Sequence, residues 1–130
     1  MPAITLDGLC RERDLQGPFL IKVDVQGAEL DALEGATQIL EHTEYIILEV
    51  SLFKFFINGP QFYDVIVFMK ERGFVVYDML GYNYRLLDGA MSQADLVFVK
   101  EKGMFRKYHF YATREQRVNQ NRSFTEHQAE

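Results

Sequence analysis

The chain has 130 residues, 48% of them hydrophobic, which is the size of one domain with enough apolar side chains for a core. Its 14 Lys/Arg and 19 Asp/Glu are unevenly spread: residues 1–100 hold 8 and 15, an acidic body that excludes broad, phosphate-driven nucleic-acid binding. The single cysteine, Cys10, excludes an internal disulfide and multi-cysteine zinc sites, and no apolar run approaches the roughly 20 residues of a membrane span.

The N-terminus "MPAITLDGLC" has neither the basic flank nor the apolar stretch of a signal peptide, so a soluble, cytoplasmic protein with no membrane partner is expected. Within it, "ITLDGL" predicts a short strand or bridge, and Gly17–Pro18 breaks the chain. Residues 19–25, "FLIKVDV", predict a strand. Both its faces are apolar until the C-terminal end, which suits a central parallel strand covered on both sides. Residues 28–40 predict one helix, with Leu30, Leu33 and Leu40 at helical spacing. Gly35 inside it implies close packing against a neighbour. "YIILEV", residues 45–50, predicts a second buried strand with Glu49 near its C-terminal end.

Residues 58–74, "NGPQFYDVIVFMKERGF", predict a well-punctuated helix. Pro60 suits its first turn, Lys70 and Arg72 its last, and Gly73 its C-terminal cap. Residues 74–79 and 95–100 predict the third and fourth strands, with a long loop or irregular hairpin between them. The order β-α-β-α-β-β predicts an α/β fold with three parallel strands and a last antiparallel one. Residues 1–100 form the domain; residues 101–130 are a polar extension, partly helical or disordered.

Ligands of open α/β sheets bind outside the carboxyl ends of the strands. Asp24 and Glu49 stand at two such ends, Gly27 permits a tight turn, and Glu29 falls in the first helical turn. Such a group of carboxylates can take a proton from a hydroxyl, or hold a divalent cation such as magnesium through Asp24 and Glu49. The plainer reading is that Asp24 caps the helix and Glu29 favours its dipole. Lys22, in a buried strand, needs an acidic partner or has a catalytic role. Tyr82 and Arg85 belong to a polar-aromatic loop able to contact substrate. His42, His109 and His127 have no partner at metal-ligand spacing.

"LIKVDVQGAELDALEGATQIL", "YIILEVS", "GFVVYDM" and "ADLVFVK" together resemble the FkbM-type family of S-adenosylmethionine-dependent methyltransferases. "PAITLDGL" resembles the segment just before the family's signature strand, so the resemblance spans roughly residues 2–100. It implies the second half of a Rossmann-like sheet of seven strands, the fourth to the seventh, with the last antiparallel. No Gly-x-Gly turn stands in the sequence, so the cofactor-binding first half is expected to be absent from this chain. By resemblance, Asp24, Val25 and Gly27 bind S-adenosylmethionine. Asp24, Glu29 and Lys22 are then the catalytic candidates, and Glu49, Tyr82 and Arg85 meet the acceptor. The implied reaction is O-methyl transfer to a hydroxyl of a small molecule or glycan.

Half a sheet leaves its first strand with an open edge, which invites pairing with another chain. The alternative function is therefore a non-catalytic α/β module that forms a homodimer through that edge. A phosphotransfer domain using Asp24 is a third reading, weakened by the lack of a phosphate-cradling glycine loop.

Overall fold

The computed structural model describes residues 3–128, with the side chains of residues 3–126. A first helix, α1 (Leu6–Glu12), leads into β1 (Phe19–Val23), α2 (Glu29–Glu34), α3 (Thr37–Glu41) and β2 (Thr43–Ser51). Then come α4 (Phe62–Glu71), β3 (Phe74–Tyr84), β4 (Met91–Lys100), a 3-10 turn (Met104–Arg106) and α5 (Arg114–Gln128). One mixed sheet of four strands has the order β1-β2-β4-β3.

The expected set of three parallel strands needs correction. Only β1 and β2 pair in parallel, and β4 is antiparallel to both β2 and β3. β3 runs in the same sense as β1 and β2 but pairs with neither. The reason lies in the connections. The crossover through α4 carries β3 two places beyond β2. The tight turn at residues 85–90 then folds β4 back into the vacant slot. The expected loop is a continuation of both strands: β3 extends to Tyr84, and β4 begins at Met91. Arg85 and Asp88 hold the turn with an ion pair at 2.5 Å.

The helix expected over residues 28–40 is two helices. Gly35 passes so close to Thr5 that an added Cβ would lie 3.2 Å from its Cγ2. Asp7 then accepts the N–H groups of Gln38 and Ile39 at 2.9 and 2.8 Å, capping α3 from across the chain. "ITLDGL", expected as a strand or bridge, supplies these contacts as the start of α1. Its N-cap, Thr5, accepts the Gly8 N–H. α4 begins at Phe62, two residues after Pro60, and ends as expected with Gly73 at φ +81°. The polar extension carries the 15-residue α5.

The main core lies on one face of the sheet, with Val97 and Val99 buried on the other. Val23, Ile46, Leu48, Val50, Leu96 and Phe98 meet Leu33 and Leu40 of the first crossover, and Val65 and Met69 of α4. Each such buried side chain stabilises the fold by roughly 1.5–3 kcal/mol. On the opposite face, Phe105 packs edge-on against Tyr45, with Tyr77 completing an aromatic trio. β1 has no such cover, contrary to expectation. Leu20 is 64% exposed, and Lys22 is exposed and makes no ion pair among the described residues. The partner expected for a buried lysine is therefore not required. Among the described residues, no helix is long and apolar enough to cross a membrane.

Candidate functional site

Beyond Val23 the chain leaves the sheet through a turn that only a few residue types adopt. Gln26 has φ +50° and Gly27 φ +99°. A Cβ on Gly27 would lie 3.0 Å from the Phe56 ring, so both conformation and space demand glycine there. Glu29 holds the turn from inside. Only 4% exposed, it accepts the N–H of Val25 at 3.3 Å and that of Gly27 at 3.1 and 3.0 Å. Its carboxylate is occupied by backbone donors, which makes it a positioning residue.

Glu29→Gln is expected to cost about 1.5–3 kcal/mol, because an amide presents an N–H₂ group to donors that a carboxylate accepted. Urea unfolding and hydrogen exchange at the Gly27 amide check this. Unchanged stability together with unchanged exchange would show that the clasp is not needed.

The turn leaves Asp24 exposed beside Glu49, so the structure brings these two carboxylates together as expected. The pairing register places Asp95 of β4 directly opposite Glu49. The Glu49 carboxyl is raised above its ordinary range, first by burial, then by a hydrogen bond shared with Asp24. The charges of Asp24, Asp95 and Glu29 add to the effect.

A cavity of about 360 Å³ opens beside Glu49, with Gln26, Phe55, Phe56, Arg85 and Gln93 among its walls. Arg85 therefore reaches the site, its guanidinium stacked 3.9 Å over the Phe53 ring. Tyr82 does not: its hydroxyl turns back to donate to the Met79 carbonyl at 3.0 Å. A second, open groove of about 470 Å³ follows the free side of β1, where Lys22, Asp24 and Val25 meet Leu6, Ile21 and Ala32. A larger cavity of about 580 Å³ involves Cys10 and His42 but lies at the amino ends of the strands, away from the carboxylates. His109 is exposed, and the His127 side chain lies outside the described residues.

The groove fits a methyl donor with a positively charged sulfur in part: Asp24 attracts the cation and Ile21, Val25 and Ala32 offer apolar contact, while Lys22 on the same wall opposes it. The metal expectation has no such support. Among the described residues, no group of three or more His, Cys, Asp or Glu side chains is placed to hold an ion. Gln26, Phe55, Phe56, Gln93 and Asp95 were not legible as site residues. The only signal was the aromatic run "FKFF" after the second strand.

Comparison with curated proteins and with solved structures returns no match. A family model described as "Methyltransferase FkbM domain" matches residues 1–76, more than half of the chain. This chain belongs to the FkbM methyltransferase domain family.

Proposed function

We propose that this chain is the acceptor-side part of an S-adenosylmethionine-dependent O-methyltransferase acting on a hydroxyl of a small molecule or glycan. The observation that supports this most is Glu49, which lines a cavity of substrate size at the carboxyl ends of β1 and β2 with Asp24 beside it. S-adenosylmethionine, when bound, supplies an electrophilic methyl group on a positively charged sulfur and leaves as a neutral thioether.

Asp24, Val25 and the Gly27 turn hold the donor along the β1 groove, with Lys22 on the same wall. Glu49 receives the proton that the acceptor hydroxyl gives up, and its raised affinity for a proton suits that task. Arg85 and Gln26 orient the acceptor. Most of the rate comes from bringing oxygen and methyl group into line. Residues 1–100 form the methyltransferase unit, residues 101–130 are an appendage, and a cytoplasmic location agrees with the single free cysteine.

The test is calorimetric titration of the full chain with S-adenosylmethionine. Saturable binding is expected, weakened about tenfold or more in Asp24→Asn, the loss of one charge-assisted contact. No heat at millimolar donor overturns the donor-binding assignment.

A second reading, a homodimer with no catalytic role, is favoured by the free edge of β1, which pairs only with β2 among the described residues. In an antiparallel β1–β1 contact centred on Val23, Lys22 of one copy faces Asp24 of the other. Sedimentation velocity separates the readings: a salt-sensitive dimer that excludes the donor supports the module, and a donor-binding monomer removes it.

A further inference from the structure

The acceptor cavity has an unusual mouth. One lip is the segment after β2, where Phe55 and Phe56 line the cavity and the next residue, Ile57, is 86% exposed. The other lip is the β3–β4 turn, where Arg85 lines the cavity and the next residues, Leu86 and Leu87, stand in solvent. Turns usually carry polar residues, and two leucines at a tip contribute nothing to the core. Large apolar side chains held in solvent beside a cavity point to a contact site.

The two lips are tied together. Arg85 stacks on Phe53, the Leu52 N–H donates to the Ser92 carbonyl at 2.9 Å, and Asp88 holds Arg85 from the turn itself. The cavity joins polar side chains, Glu49, Gln26 and Gln93, to the apolar rings of Phe55 and Phe56. Asp24 and Asp95 add negative charge beside Glu49. An acceptor bearing phosphate or carboxylate at its reacting end would be repelled there.

We propose that this cavity takes an uncharged hydroxyl compound with an apolar body, of the class of alkyl glycosides. Its hydroxyl end lies at Glu49 and its apolar part against Phe55, Phe56 and the tips Ile57, Leu86 and Leu87. The inference rests on the methyltransferase reading for the reaction, but not for binding itself. A membrane surface is the weaker occupant. The acidic groups beside the mouth repel anionic headgroups, and of the two basic residues of the lips, Lys54 and Arg85, the latter is already paired with Asp88.

The test is an NMR titration of the full chain with n-octyl β-glucoside below its micelle concentration, against methyl β-glucoside. The octyl compound is expected to saturate at a concentration at least about tenfold lower. The shifts should centre on the amides of Gln26, Phe55, Arg85 and Gln93. The double variant Leu86→Ser/Leu87→Ser, on solvent-exposed positions, is expected to weaken binding about tenfold while leaving the unfolding midpoint in place.

Equal saturation by the two glucosides overturns the proposal. So do equal shifts at the separate aromatic patch of Tyr108 and Phe110, or indifference to the leucine exchange. Leucine-dependent binding to phosphatidylcholine vesicles, with no saturation by octyl glucoside, overturns it in favour of a membrane. Because the titration contains no donor, octyl glucoside binding without S-adenosylmethionine binding would overturn the donor-binding assignment and leave the cavity assignment standing.

Discussion

Glu49→Gln is expected to lower methyl transfer by roughly 10²–10⁴-fold while raising the midpoint of thermal unfolding at neutral pH. The two effects have one cause. Burial and the carboxylates of Asp24, Asp95 and Glu29 all disfavour a charge on Glu49, so its carboxyl titrates above the ordinary range in the folded chain. A carboxyl raised on folding stabilises the fold while it is protonated. That contribution is fully present below the unfolded value, ordinarily about 4.3, and is lost as pH rises through the raised folded value. At pH 7 the group is a burden. Glutamine removes the charge and lets an N–H donate to Asp24, so the variant gains stability at neutral pH and little near pH 4.

The same change deprives the acceptor hydroxyl of its base, because an amide does not take the proton. In the wild-type chain, transfer should fall as pH drops through the raised Glu49 value, above the usual glutamate range. Transfer of labelled methyl from S-adenosylmethionine to octyl β-glucoside, with thermal unfolding at two pH values, checks both halves. A variant that is slower and also less stable at pH 7 would mean that Glu49 is a structural group. A variant with undiminished rate would remove it from proton transfer.

Phe98→Ala is expected to destabilise the fold by about 3–5 kcal/mol, a large share of the roughly 5–15 kcal/mol typical of a domain. Phe98 is 1% exposed on β4, between Ile46 of β2 and Val76 of β3 in register, and its ring fills the layer beneath the crossover helices. β4 is the strand that joins β3 to the rest of the sheet, so a void there loosens both ladders. Phe105→Ala, on the opposite face at 42% exposure, should cost clearly less. Urea unfolding of the two variants tests the asymmetry. Equal losses would mean that the opposite face contributes as much as the helical one.

Local chemistry was legible without coordinates. The apolar run of residues 45–50 marked a buried strand, and Gly73 ended α4 where a C-terminal cap was expected. Asp24 and Glu49 stood at two strand ends, and the FkbM-like series named the family that the comparison then showed. Each of these features depends on neighbours a few residues apart.

Contacts between distant positions were decided by the tertiary structure. Asp7 caps α3 from 31 residues away, which split the expected single helix. Lys22 was expected to be buried, yet the side of β1 it shares with Leu20 carries no covering layer. Tyr82 and Arg85 are three positions apart, but only Arg85 reaches the cavity, since Tyr82 spends its hydroxyl on Met79. The sequence by itself determined that Asp24 and Glu49 stand near the carboxyl ends of the first two strands, because strand period and turn chemistry are local. The structure alone decided that β4 enters between β2 and β3 and sets Asp95 against Glu49, because register is fixed by side-chain packing and by backbone hydrogen bonds between distant segments.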